Sequence, residues 1–244
     1  MLNIKMQSIC NSICEKCLCC CSREERKRGI IYEDVKNEIK ELDLIMFKSS
    51  ECFGDVILVA ESLSQGITAK WTHVGMVVST KVMDIPLAKP NELYLYESTS
   101  SSEIYGVQLR PLEEVVEEYD KDPDARVGWC ELIDNPIHNN IKKVRDTMNE
   151  IYNEFKDKSY DDSICNLGAS VCCCRCSKIR HCCDKETDKV FCSEFVTIIY
   201  QRLGIVDKNI DPEMVSPEEY VNMSKSNLNK CPVYIPPIFV TMNR

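Results

Sequence analysis

Phe191-Cys192-Ser193-Glu194-Phe195-Val196 is the stretch from which the rest of this chain is best read. A cysteine opens an apolar segment whose inward positions, Phe195, Val196, Ile199, Tyr200 and Leu203, recur at helical spacing. Gly204 follows as a C-terminal cap. A thiol at a helix start feels unpaired backbone N–H groups and the positive end of the helix dipole, and both favour the thiolate. The Cys192 N–H is then also a candidate oxyanion donor.

The chain has three histidines, so the choice of a base is narrow. His73 lies on a predicted strand, Trp71-Thr72-His73-Val74-Gly75-Met76-Val77-Val78, and shares a face with Gly75 and Val77. A carboxylate ends another strand, Leu93-Tyr94-Leu95-Tyr96-Glu97-Ser98, where Leu93, Leu95 and Glu97 share a face. If the two strands pair, Glu97 reaches the far ring nitrogen of His73 and fixes its tautomer. Cys192, His73 and Glu97 are therefore the candidate nucleophile, base and orienting group. Gly75 is expected to leave room beside the imidazole for substrate. Each residue alone has a plainer reading: a buried cysteine is a small hydrophobe, and a strand histidine a satisfied core residue.

Outward from these segments, Leu42-Asp43-Leu44-Ile45-Met46-Phe47 reads as a buried strand. Residues 51–65 suit helix or strand equally. Val107-Gln108-Leu109 and Arg126-Val127-Gly128-Trp129-Cys130-Glu131-Leu132 read as further strands. Leu112, Val115, Val116 and Tyr119 form the stripe of a short acidic helix begun by Pro111. Ile141, Val144, Met148, Ile151, Tyr152 and Phe155 mark a strong amphipathic helix. Ser216-Pro217-Glu218-Glu219 reads as a helix start. Val233-Tyr234-Ile235 is expected as a short edge strand or ordered coil.

The 244 residues divide into an appendage at 1–28 and a globular part at 30–244, the latter carrying a cysteine-rich insertion at 163–184. Seventeen cysteines are the compositional anomaly, and they bunch: six between Cys10 and Cys21, seven between Cys165 and Cys183. Runs such as Cys19-Cys20-Cys21 and Cys172-Cys173-Cys174 make poor disulfides, because neighbouring thiols point apart. No secretory leader is recognisable, and no apolar run is long enough to span a bilayer. A reducing, cytosol-facing environment is expected. The net charge of −9 argues against nucleic acid as the main partner.

In the appendage, Leu2, Met6, Ile9, Ile13 and Cys17 form an apolar stripe beside Arg23, Arg26, Lys27 and Arg28. That pattern suits S-acylation at Cys10, Cys14, Cys17, Cys19, Cys20 and Cys21, and a peripheral place on the cytosolic face of a membrane. Met1-Leu2 excludes N-myristoylation, which needs glycine second. Zinc is the competing reading, since Cys14-x-x-Cys17 and Cys173-x-x-Cys176 have ligand spacing, followed by His181, Cys182 and Cys183. The runs are too crowded to single out four ligands, and no metal or other cofactor is assigned. Free thiols are the plain alternative, and Cys52, Cys130 and Cys231 stand singly.

Taken in chain order, histidine strand, carboxylate strand and late cysteine helix reverse the order found in papain. The chain resembles the circularly permuted papain-like superfamily, which includes YiiX-like amidases and peptidases, lecithin–retinol acyltransferase relatives, and homologues in poxviruses and other large DNA viruses. The resemblance runs from about residue 40 to 222. It rests on the Leu42–Phe47 strand, the Trp71–Val78 strand, Tyr96-Glu97-Ser98, Tyr160-Asp161, Phe191–Val196 and Ser216-Pro217-Glu218-Glu219-Tyr220. It implies an α+β fold, a small antiparallel sheet or partial barrel packed against helices. It also implies roles for Cys192, His73 and Glu97 as nucleophile, base and third polar residue. Two departures stand out: Glu41 or Leu42 occupies the place where the family often has glycine before Asp43, and the insertion at 163–184 is not part of the common pattern.

The function expected is a cysteine-nucleophile hydrolase or acyltransferase that cleaves amide, thioester or ester bonds in peptide or lipid-linked substrates. The rival is a catalytically silent membrane or virion structural protein, or binding protein, that keeps the fold. The sequence does not set the oligomeric state. A phosphate-binding enzyme is not expected, since no glycine-rich loop of suitable form occurs among the eight glycines.

Overall fold

The computed structural model describes residues 30–48, 71–100, 105–160, 189–221 and 238–242. The cysteine-rich segments, residues 51–65, Asp161 and Val233-Tyr234-Ile235 lie outside these described residues.

Nine strands are described: β1 (Ile30–Ile31), β2 (Leu44–Lys48), β3 (His73–Val78), β4 (Tyr94–Thr99), β5 (Gly106–Pro111), β6 (Arg126–Cys130), β7 (Ser159–Tyr160), β8 (Lys189–Val190) and β9 (Ile238–Thr241). Seven form one open sheet in the order β1-β9-β6-β2-β3-β4-β5. Only the β1–β9 pair in this sheet is parallel. β7 and β8 form a separate parallel ribbon. Four helices accompany them: α1 (Tyr32–Val35), α2 (Leu112–Lys121), α3 (Ile137–Phe155) and α4 (Cys192–Leu203). The architecture is α+β, with a mostly antiparallel sheet that does not close into a barrel.

The sheet is buried on both faces, which explains why its central strands read as nearly continuous apolar runs. One face, with Leu44, Met46, Val74, Met76 and Tyr96, packs against α3 and α4. The other, with Ile45, Phe47, Val77 and Leu95, packs against α1 and α2. Phe195, Val196, Ile199 and Tyr200 of α4 are all fully buried. At about 1.5–3 kcal/mol for each large apolar side chain, this one helix face is a major anchor of the core. Gly204 ends α4 in the left-handed conformation (φ 77°). The Ile205 N–H donates back to the Tyr200 carbonyl at 2.8 Å, satisfying one of the helix's last acceptors.

Several elements differ from their sequence reading. The first buried strand begins at Leu44, because Leu42 has a left-handed φ of 72° that extended pairing does not accept. This is where the sequence lacks the expected glycine. The strained backbone is held from both sides: Leu42 N–H donates to the Val77 carbonyl at 2.7 Å, and the Tyr200 hydroxyl donates to the Leu42 carbonyl at 2.6 Å. Asp43 is fully buried; its carbonyl accepts from the Val77 N–H of β3 at 2.9 Å, and its side chain serves the turn and its neighbours. Its carboxylate accepts from Lys40 N–H (2.9 Å), Leu132 N–H (2.9 Å) and the Trp129 indole (2.8 Å). Burial pushes its pKa up to about 6, against the pull of those three donors.

The long helix α3 starts at Ile137, earlier than its apolar stripe suggests, and a non-helical Asn140 (φ −160°, ψ 80°) breaks its first turn. Pro217–Tyr220 is a single 3-10 turn and not the start of a longer helix. Near the C-terminus the described strand is β9, which lies inside the sheet between β1 and β6.

Candidate active site

The β3–β4 pairing expected from the sequence is present and antiparallel, with Met76 opposite Tyr96 and Val77 opposite Leu95. That register puts Glu97 diagonally across from His73 on the shared face. The ring Nε2 of His73 and Oε2 of Glu97 are 2.6 Å apart, a short charge-assisted contact. Little solvent reaches it: the His73 side chain is 12% exposed and that of Glu97 only 3%. Phe47, opposite His73 in the β2–β3 register, lies against the imidazole with ring centroids 5.5 Å apart. The Phe47 ring in turn rests on Tyr119 of α2 at 4.4 Å.

Cys192 is the first residue of α4, which packs against β3 and β4. Its buried thiol lies close enough to His73 to act on the charge of the ring. With Nε2 committed to Glu97, Nδ1 is the ring nitrogen left for the sulfur. Burial alone would lower the pKa of His73. The negative charge and hydrogen bond of Cys192, followed by those of Glu97, outweigh it and push the value up to about 10. The imidazole is thus stabilised as its cation between two acceptors, the environment a thiolate–imidazolium pair requires. The structure brings together all three residues singled out from the sequence.

The supports of Cys192 are local and specific. β8 ends two residues before it, and the Ser98 hydroxyl donates to the Val190 carbonyl at 2.6 Å. One strand therefore serves both groups, Glu97 on one face holding the histidine and Ser98 on the other holding the approach to the thiol. Glu194 accepts from the Phe191 N–H at 3.3 Å, capping the helix start from within. Ser193 Oγ donates to the Val215 carbonyl (2.7 Å), and the Tyr220 hydroxyl donates to the Ser193 carbonyl (3.1 Å). The same terminal segment steadies the histidine strand, since Glu218 accepts from the Trp71 N–H at 3.3 Å. The leading N–H groups of α4 have no partner within the helix, so the helix start retains anion-binding capacity beside the sulfur.

Gly75 does not open a space for substrate. A Cβ there would meet Leu95 Cδ1 at 2.6 Å, Leu95 Cγ at 2.8 Å and Glu97 Cβ at 3.2 Å. The place of a side chain at Gly75 is taken by the Leu95 side chain of β4, beside the stem of Glu97. Arg110 of β5 is a further member that the sequence reading did not include. Its guanidinium lies 3.7 Å from Glu97 Oε1 and also pairs with Glu118 of α2. The signal was legible only as alternation: Gln108 and Arg110 share a face, and register alone puts that face beside Glu97.

Cys130 is fully buried against the core. Among the described residues, no group of three or more His, Cys, Asp or Glu side chains is arranged to hold a metal ion. No helix among them is long and apolar enough to cross a membrane.

No family model matches the chain, and no curated protein does. Among solved structures it is similar to the metalloprotein yiiX from Escherichia coli O157:H7, at 14% identity and a TM-score of 0.44, over 81% of this chain and 88% of that one. A likeness of that degree says nothing about chemistry, so the contacts described above carry the functional reading.

Proposed function

We propose that this chain is a cysteine-nucleophile hydrolase or acyltransferase of the permuted papain-like kind, acting on amide, thioester or ester bonds through an acyl-enzyme. The observation that carries the reading is the position of His73, held at 2.6 Å by Glu97 on one side and facing the Cys192 thiol on the other. A structural histidine gains little from lying between a buried carboxylate and a helix-start thiol. A general base gains both a fixed orientation and a proton source.

In this mechanism the Cys192 proton passes to His73, and the sulfur attacks the substrate carbonyl carbon. The oxygen that becomes negative faces the N–H groups at the start of α4. The tetrahedral adduct collapses, the carbon–heteroatom bond breaks, and His73 gives its proton to the departing amine, thiol or alcohol. A thioester on Cys192 remains. Water or an acceptor hydroxyl or amine then loses a proton to His73 and attacks that thioester, and the proton returns to Cys192 as the product leaves. Glu97 keeps the ring aligned and balances its positive charge throughout.

The test is labelling of the intact chain by an electrophilic thiol probe such as iodoacetamide, read peptide by peptide because sixteen other cysteines compete. The expected result is fast labelling at Cys192 that falls at least about tenfold in His73→Gln, the lower end of what a positioned base contributes. Equal labelling of Cys192 in both proteins would refute the reading.

A further inference from the structure

We propose that Arg110 is a positioning residue that sets how strongly Glu97 holds the His73 proton, by dividing its positive charge between Glu97 and the surface carboxylate Glu118. The proposal builds on the reading of Cys192, His73 and Glu97 given above.

Glu97 uses only one of its oxygens on the histidine. The other, Oε1, is buried and has no hydrogen-bond partner among the described residues. Arg110 Nη1 lies 3.7 Å from it, close enough for strong attraction but beyond a hydrogen bond. Gln108 stands directly opposite Glu97 in the β4–β5 ladder, yet its amide nitrogen is also buried without a hydrogen-bond partner. Among the described residues, Arg110 is the charged group paired with this side of the carboxylate.

Arg110 does not lean fully onto Glu97, because its Nη2 is engaged by Glu118. The arginine side chain is 17% exposed and that of Glu118 is 55% exposed. A chain of alternating charge thus runs from the thiol through His73, Glu97 and Arg110 to the surface. Among the described residues, the groups that face this chain are Cys192 from α4, Gln108 and Arg110 from β5, Glu118 from α2, and the uncharged Phe47 from β2.

The physics gives opposite signs to the two ends. Removing Arg110 leaves the field of Glu97 unopposed at the imidazole, and His73 holds its proton more tightly. Removing Glu118 frees the arginine charge to oppose it, and His73 holds its proton less tightly. A unit charge at roughly 7 Å moves a titration midpoint by about half a unit in water-like surroundings and by nearly two units at a protein-like dielectric. An arrangement in which Arg110 simply ties β5 to α2 predicts no such opposition.

The test is a histidine-labelled NMR titration of the full chain in a Cys192→Ala background, which removes the influence of the sulfur on the ring and brings the His73 midpoint into easier range. His73→Gln assigns its signal among three histidines. Arg110→Gln should raise the midpoint by about half a unit or more, Glu118→Gln should lower it, and Arg110→Lys should lie near the parent. An unchanged midpoint in Arg110→Gln, or a shift of the same sign in Arg110→Gln and Glu118→Gln, overturns the proposal. Should Arg110→Gln fail to fold, the exposed Glu118→Gln decides alone, since an unmoved or raised midpoint there is also fatal. This titration needs no turnover. Loss of the His73 dependence of Cys192 labelling would sink the proposed function and leave the charge-division result standing.

Discussion

Glu97→Gln isolates the charge at the centre of the site while keeping its shape. The amide oxygen can still accept from His73 Nε2, so the ring orientation survives and the negative charge goes. The contact removed is 2.6 Å long, and its carboxylate is only 3% exposed, so water cannot replace it. A hydrogen bond to a charged group is worth about 1.5–3 kcal/mol. At about 1.4 kcal/mol for each pKa unit, the His73 midpoint should fall from about 10 by roughly one to two units. Arg110 remains, balanced now only by Glu118, and pushes in the same direction.

The sign of the stability effect follows from linkage. The folded-state pKa of His73 is raised above its unfolded value, so its contribution is complete below about pH 6.5 and is lost as pH rises through about 10. Glu97→Gln should therefore cost most stability near pH 6 and little above pH 10. Histidine-labelled NMR reads the midpoint, and urea denaturation at the two pH values reads the stability. A midpoint that stays in place or rises would refute the charge argument, as would an equal stability loss at both pH values.

Gly75→Ala should destabilise the fold by about 1–3 kcal/mol, as overpacking of a closed core does, and should also weaken His73-dependent labelling of Cys192 by pushing Leu95 and Glu97 away. An unchanged melting temperature would show that β4 yields freely. Leu42→Gly tests two opposing effects. Relief of the left-handed backbone gains about 1–2 kcal/mol, whereas loss of a fully buried leucine costs about 2–5 kcal/mol, so the variant should be less stable. A rise in denaturation midpoint would mean that backbone strain dominates. Acyl-exchange mass spectrometry of the chain from expressing cells should find modification among Cys10, Cys14, Cys17, Cys19, Cys20 and Cys21, and complete absence there would remove the acylation reading.

By itself the sequence determined the parts whose signals are local. Helix α4 was readable because apolar spacing, a starting cysteine and Gly204 all agree over a dozen neighbouring residues. The β3 and β4 strands were readable as apolar runs, and side-chain alternation placed His73 and Glu97 on usable faces. With three histidines to choose from, that was enough to name the candidate trio. What only the tertiary structure decided depends on register and on contacts between distant segments. Gly75 looked like room for substrate until β4 filled it, because the space beside a glycine belongs to whichever strand lies next. Arg110 carried no local mark, since its closeness to Glu97 arises from the β4–β5 pairing. Leu42 and Asp43 read as strand, but a hydroxyl from Tyr200, well over a hundred residues away, and an indole from Trp129 hold them in a turn. Local pattern sets which face a residue can show; only the folded chain sets what that face meets.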